Sequence, residues 1–309
     1  MRFVTAFVVV LACLVAPGTA AAHSRTPTVA LDYRLQLSAQ QPARLHAAVI
    51  DGDRALRLRV DPGSAAVVRG LLGEDVLRFG ADGVWVNSAS PTAAADKLVP
   101  AHATGWVRLT RGRTLTWHDH RLAPPPLRPG GHAPWSLTLI VDGQPVQLTG
   151  TFTRVARPAW WPWLAAAALA GVLVAELVRK LPRRRVEVAT ALAGLAAIGA
   201  LSSSTAFATG DAIARRAQWL EVASAVVLAL VAGASLVVGD RRLRIWAAMV
   251  VGVVAAALGL GALSVFLHGV VISSLSPFAT RAATALALVA GAAAAVVAVL
   301  TPTPGGHRR

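Results

Sequence analysis

The chain has 309 residues, 55 % of them hydrophobic, and a formal net charge of +15. That apolar share exceeds what a water-soluble globular chain carries and implies a soluble domain joined to a membrane domain. The densest arginine runs sit between apolar segments, where membrane topology accounts for them better than a nucleic-acid-binding face does.

Residues Met1 to Ala22 read as a secretory signal: Arg2 is the basic start, Phe3 to Val15 the apolar core, and Ala20-Ala21-Ala22 a small-residue cleavage site. The competing reading is an uncleaved first membrane helix, but the run is short and ends in Pro17-Gly18. Val10-Leu11-Ala12-Cys13 faintly resembles a lipidation motif. Cys13 is the single cysteine, so a chain cleaved after Ala22 has no disulfide, thiolate metal site or cysteine nucleophile. Such cleavage leaves His23 as a terminal residue offering both amine and imidazole to copper(II). The plainer alternative is an ordinary mature terminus.

Residues 23–155 are expected to form an extracytoplasmic all-β domain, an Ig-like β-sandwich. Val29, Leu31, Tyr33, Leu35 and Leu37 alternate with Ala30, Asp32, Arg34 and Gln36, the pattern of a strand with one buried face. Leu56, Leu58 and Val60 alternate with Arg57 and Arg59. Val76 to Phe79 and Val84 to Val86 flank a Gly80-Ala81-Asp82-Gly83 turn. Trp106 to Leu109 and Thr114 to Trp117 flank Arg111-Gly112-Arg113, and Leu137 to Val141 and Val146 to Phe152 flank Asp142 to Pro145. Short strands at this spacing predict the sandwich.

At 156–163 the composition changes, and Trp160, Trp161 and Trp163 predict an interfacial belt. Five apolar segments follow, at about 163–178, 186–208, 220–239, 245–267 and 279–300, each near the ~20 residues a span needs, and predict a five-helix transmembrane domain over 164–300. Arg179, Lys180 and Arg183 to Arg185 follow the first span and Arg241, Arg242 and Arg244 the third. Arg308 and Arg309 close the 301–309 tail, while Arg215, Arg216 and Arg281 lie on the other side. The bias predicts a plasma-membrane protein with the tail in the cytoplasm and the β domain outside. Gly194, Gly199, Gly252, Gly259 and Gly291 are expected at close helix contacts. Ser202 to Thr205 is the one polar tract within a span, expected to bond its own helix backbone. No charge falls near mid-span, which argues against a pump or a proton-coupled transporter. His268 either caps the fourth span or faces the underside of the β domain.

The chemistry concentrates in Trp117-His118-Asp119-His120-Arg121, which runs towards Pro124-Pro125-Pro126. If the strand from Thr114 continues to Arg121, His118 and His120 share one face, and Trp117, Asp119 and Arg121 the other. The histidine pair is a half-site for copper or zinc that needs a third ligand, with His23, His132, His102 and His46 as candidates. In the structural alternative Asp119 pairs with Arg121 and Trp117 joins the core. Asp119 serves as a catalytic base only if it turns to the histidine face, so a non-enzymatic protein is expected.

This stretch, with Gly83-Val84-Trp85-Val86-Asn87-Ser88-Ala89-Ser90-Pro91 upstream, resembles a group of uncharacterised bacterial exported membrane proteins that carry a Trp-His-Asp-His-Arg motif. The resemblance covers most of the chain and implies an exported domain with C-terminal spans, but no activity. A looser resemblance is to the periplasmic copper-binding β-sandwich proteins of copper resistance, which implies copper at an N-terminal histidine. Met1 and Met249 are the only methionines, so the methionine-rich loop of those proteins is missing. The sequence thus supports a membrane-anchored binding protein for copper or zinc, an envelope assembly or interaction protein with a structural motif and a protein partner, or a transporter or permease subunit.

Overall fold

The computed structural model describes residues 29–50, 55–210, 216–237 and 239–302. The expected signal at 1–22, His23 and the tail beyond Pro302 lie outside them. Residues 30–154 form a multi-sheet β region, and five helices long and apolar enough to cross a membrane follow.

The strands are β1 (Ala30–Leu31), β2 (Tyr33–Leu37), β3 (Leu45–Ile50), β4 (Ala55–Val60), β5 (Ala66–Arg69), β6 (Asp75–Gly80) and β7 (Gly83–Asn87). A short helix, α1 (Pro91–Ala95), precedes β8 (Trp106–Thr110), β9 (Thr114–His118), β10 (His132–Val141) and β11 (Gln144–Arg154). A seven-stranded antiparallel sheet has the order β2-β11-β10-β5-β6-β7-β8, and a three-stranded one the order β3-β4-β9. Period-two patterning decides what each strand buries. In β10, Trp135, Leu137, Leu139 and Val141 are buried while Ser136 and Thr138 are exposed. Leu56, Leu58 and Val60 from the small sheet join Val68, Leu77, Phe79 and Leu148 from the large one in a single apolar core. β8 and β9 flank one turn yet belong to different sheets, β8 pairing with β7 and β9 with β4.

The first strand departs from its expected course. Rather than one strand from Val29 to Leu37, the chain breaks at Asp32, and Ala30 and Asp32 are both buried. β1 leaves the large sheet and pairs with β12 (Val270–Val271), between the last two helices. The Asp32 side chain explains the break. Its Oδ2 accepts from Arg157 Nε at 2.9 Å; its Oδ1 lies 3.1 Å from His268 Nδ1 and 3.3 Å from the Gly269 nitrogen. Its carbonyl accepts from Val155 N–H at 2.8 Å. One residue thus ties the first described strand, the linker before the first long helix and the loop between the last two helices. Ala30 and Val271 also pack in a small apolar cluster with Phe207, Val265 and Phe266 from the helical half. Of the two readings of His268, contact with the β region is the one observed.

The helices are α2 (Trp161–Lys180), α3 (Arg185–Gly210), α4 (Arg216–Val237), α5 (Arg241–Gly261) and α6 (Pro277–Val299). α5 stops short of the expected Leu267, and Leu263–Phe266 forms a 3-10 turn whose carbonyl at Val265 accepts from Arg281 Nε at 2.7 Å. α3 and α5 pack against α6 through glycine. A Cβ on Gly252 would lie 2.6 Å from the Gly291 carbonyl oxygen, and one on Gly199 would lie 2.6 Å from the Ala287 nitrogen. Backbones this close leave room for hydrogen only. Gly194 is different, since nothing lies within 4 Å of a Cβ there. Within the polar tract, Ser203 donates to the Gly199 carbonyl of its own helix at 2.9 Å. Trp160 and Trp161 are exposed, while Trp163 packs on Phe266 and Phe278 with ring centroids 5.4 and 5.5 Å apart.

Burial pushes the Asp32 carboxyl up, but Arg157, the Gly269 N–H and His268 draw it down, and the net direction is down from 3.8. A carboxyl held low in the folded state lends stability above the ordinary carboxylate range and loses it as pH falls through and below that range. Asp32→Ala is expected to weaken the junction by roughly 2 kcal/mol, the scale of a lost hydrogen bond to a charged group. Hydrogen exchange checks this: the Val155 and Ile272 amides should lose protection in the variant near neutral pH, while the β10–β11 amides keep theirs.

Candidate functional site

The motif Trp117 to Arg121 lies where β9 ends. The strand stops at His118, earlier than expected, because the Asp119 side chain caps a 3-10 turn over His120–Leu122. Asp119 Oδ1 accepts from the Arg121 N–H at 2.9 Å, a local bond that competes with the strand ladder. The expected division of faces nevertheless survives the turn. Trp117 and Asp119 are buried, and His118 and His120 are exposed.

Asp119 is saturated. Arg121 grips it as a fork, Nε to Oδ1 at 2.7 Å and a terminal nitrogen to Oδ2 at 2.6 Å, and Trp117 Nε1 donates to Oδ2 at 3.2 Å. Arg121 also donates to the Arg69 carbonyl at 2.7 Å, and the Arg121 carbonyl accepts from Trp135 Nε1 at 3.1 Å. The carboxylate is fully enclosed and the guanidinium nearly so. Together they brace β9 against β5 and β10. A buried pair of this kind holds only with good geometry and filled lone pairs, and both conditions are met.

A second acid, Asp96, stands on the histidine side. It is the C-cap of α1, whose N-terminus is set by Ser90 and by Pro91 in the first helical turn. Glu74, just before β6, secures that end: its Oε1 accepts from the Thr92 hydroxyl at 2.6 Å and from the Ser90 hydroxyl at 3.0 Å. At the other end, Asp96 Oδ1 accepts from the His120 N–H at 2.9 Å and lies 2.6 Å from His120 Nδ1. The Asp96 side chain is fully buried whereas that of His120 is 37 % exposed. Asp96 Oδ2 is buried and has no hydrogen-bond partner among the described residues. Burial, first, and the neighbouring charge of Asp119 push the Asp96 carboxyl up against the opposing bonds from His120.

Among the described residues, Asp96, Asp119 and His120 form the one trio of potential ligands with atoms all within 4.8 Å of one another. The histidines proposed to complete a site with His120 are not in it. His132 lies at the start of β10 with Nδ1 3.0 Å from the Thr153 hydroxyl, and His46 faces Asp61 at 3.0 Å. His102 is an exposed loop residue with φ of 62°, and His23 lies outside the described residues. His118 closes β9, exposed and opposite Ala55. Sequence reasoning missed Asp96. Its only signal is the Ser90-Pro91 start of a helix that ends at an aspartate, and nothing local says that this aspartate meets a histidine 24 residues later.

The local charge does not balance. Asp96 and Asp119 supply two carboxylates to contacts that hold one guanidinium, so one further positive charge satisfies the cluster. A proton shared by Asp96 and His120 supplies it, and so does a cation at the unpartnered oxygen. Compared with family models, curated proteins and solved structures, the chain matches none.

Two expectations follow. Arg121→Ala strands Asp119 in the interior and should cost about 3 kcal/mol, with Arg121→Lys intermediate because the fork is lost; urea unfolding followed by tryptophan fluorescence measures both. The Thr92 hydroxyl, against burial and helped by Ser90 and the Thr92 N–H, draws the Glu74 carboxyl from 4.5 down to about 2. Its grip on α1 is then full above pH 4.5 and fades as pH falls towards 2. Exchange at the Asp96 and His120 amides should quicken across that window, and Glu74→Gln should flatten the dependence.

Proposed function

We propose that this is a membrane-anchored, non-enzymatic binding protein whose outer domain takes a copper or zinc ion at His120. The five apolar helices are its bilayer spans, with the β region outside and the C-terminus in the cytoplasm. The two sheets are the halves of an Ig-like sandwich around their common core. The observation that carries the metal reading is the buried Asp96 carboxylate, one oxygen on His120 Nδ1 and the other without a partner.

The chemistry allows two donor sets. If Asp96 accepts the Nδ1 proton, it fixes the tautomer with an unprotonated Nε2, the way carboxylates orient metal-binding imidazoles, and the exposed His118 is then the second ligand. If the ion sits on the Asp96 side, the unpartnered oxygen is itself a ligand and the excess negative charge is neutralised directly. Asp119 contributes charge in either case but little coordination, because a bond to metal would have to displace Arg121.

Saturation of Asp119 favours a second reading, in which the motif is a structural brace of an envelope assembly protein and the missing charge is a proton. Titration calorimetry of the full chain in detergent with copper(II) and with zinc separates the two. The metal reading expects one saturable site per chain, lost in His120→Ala. Loss in His118→Ala identifies the outward histidine pair, and loss in Asp96→Asn with His118→Ala unaffected identifies the inner set. Equal weak binding by wild type and His120→Ala refutes the metal reading and leaves the brace.

A further inference from the structure

α2 is the least embedded of the five helices. None of its residues is buried, and between it and α6 runs an open groove of about 430 Å³ lined by Gly171, Val174 and Val178 on one side and Ala292, Val296 and Leu300 on the other. All of the groove's lining residues are apolar. Along α6 it extends from Leu288 to Leu300, which at the helical rise is roughly 18 Å. The hydrocarbon core of a bilayer is ~30 Å thick, so the groove has about the length of one leaflet's acyl chains.

One end of the groove is charged. After Val178 come Arg179 and Lys180, then the turn Pro182–Arg184 and Arg185 at the start of α3. Arg179 is paired with Glu176 at 2.7 Å. Lys180, Arg183 and Arg184 are exposed and make no ion pair among the described residues, and Glu187, the nearest acid in sequence on α3, pairs with none of them. Arg185 reaches over the groove's mouth, a terminal nitrogen 3.5 Å from the Leu300 carbonyl oxygen, and its Nε is buried without a partner among the described residues. An apolar slot of one leaflet's depth therefore ends beside the turn that carries three exposed cations, with Arg185 at its mouth. A second helix would fill the slot but leave those cations unanswered; an anionic headgroup answers them.

We infer that the groove between α2 and α6 binds an anionic phospholipid, its acyl chain along Gly171 to Val178 and its phosphate at Arg183, Arg184 and Arg185. The inference rests on the helices being bilayer spans and is independent of any metal in the outer domain.

Native mass spectrometry of the detergent-purified full chain, exchanged with phosphatidylglycerol or phosphatidylcholine of the same acyl composition, is the test. Wild type should retain phosphatidylglycerol several-fold better. Arg183→Gln/Arg184→Gln should bring retention down to the phosphatidylcholine level; both side chains are exposed, so the fold should survive, which circular dichroism checks. Gly171→Leu, at a position where a Cβ meets nothing within 4 Å, should fill the slot and lower retention of both lipids. Equal retention of the two lipids by wild type overturns the site. So does undiminished preference in the double variant, competition by free glycerol phosphate as strong as by lipid, or a dimer that Gly171→Leu dissociates. Resistance of the expressed chain to carbonate extraction from membranes tests the bilayer placement separately.

Discussion

The carboxylate of Asp32 is the contact on which the arrangement of the two halves depends. It sits where an otherwise continuous strand is cut in two, and it spends its oxygens on Arg157, His268 and the Gly269 amide. A buried acid in mid-strand is costly unless every lone pair is met, and here the partners come from segments 125 and 237 residues away. Because those partners lie at the entry of the first helix and between the last two, satisfying one side chain fixes the β region against the bundle. The apolar contacts of Ala30 and Val271 then add area to a position already set by polar geometry.

Polar specificity of the same kind recurs higher in the domain. Asp119 and Arg121 are bound so completely that they act as a brace, and the motif that drew attention as chemistry is in large part architecture. What remains unsatisfied is the margin of that brace, where Asp96 meets His120 with one oxygen unmet among the described residues. The helix that carries Asp96 is only five residues long and would not form alone. It persists because Glu74 holds its first turn and His120 its last. The site therefore inherits its geometry from contacts at both ends of a marginal helix.

Much of the fold was legible because burial follows period. Leu56, Leu58 and Val60, and Leu137, Leu139 and Val141, lie in the core as their alternation requires. The five apolar helices were plain from length and composition. The separation of Trp117 and Asp119 from His118 and His120 also followed from alternation, although the strand itself ended early. What escaped was non-local. Strand-turn-strand patterning at 106–117 is the same whether two strands pair with each other or go to different sheets, as β8 and β9 do. Asp32 looked like the polar member of an alternating strand because its partners are far along the chain. Asp96 was invisible for the same reason.

The pairing of β1 with β12 bears on how such a chain can be made. Ala30 is translated before the helices, yet its partner Val271 follows only after four of the five apolar helices have been made. The large sheet can close beforehand, since β2 finds β11 within the β region. The first two-residue strand cannot, and closing so long a loop gains nothing until the far end exists. The β region should thus fold as a unit and wait undocked on its linker while the helices assemble after it. A ribosome that stalls before residue 270 would leave a folded head on an unfinished base, its Asp32 still wet.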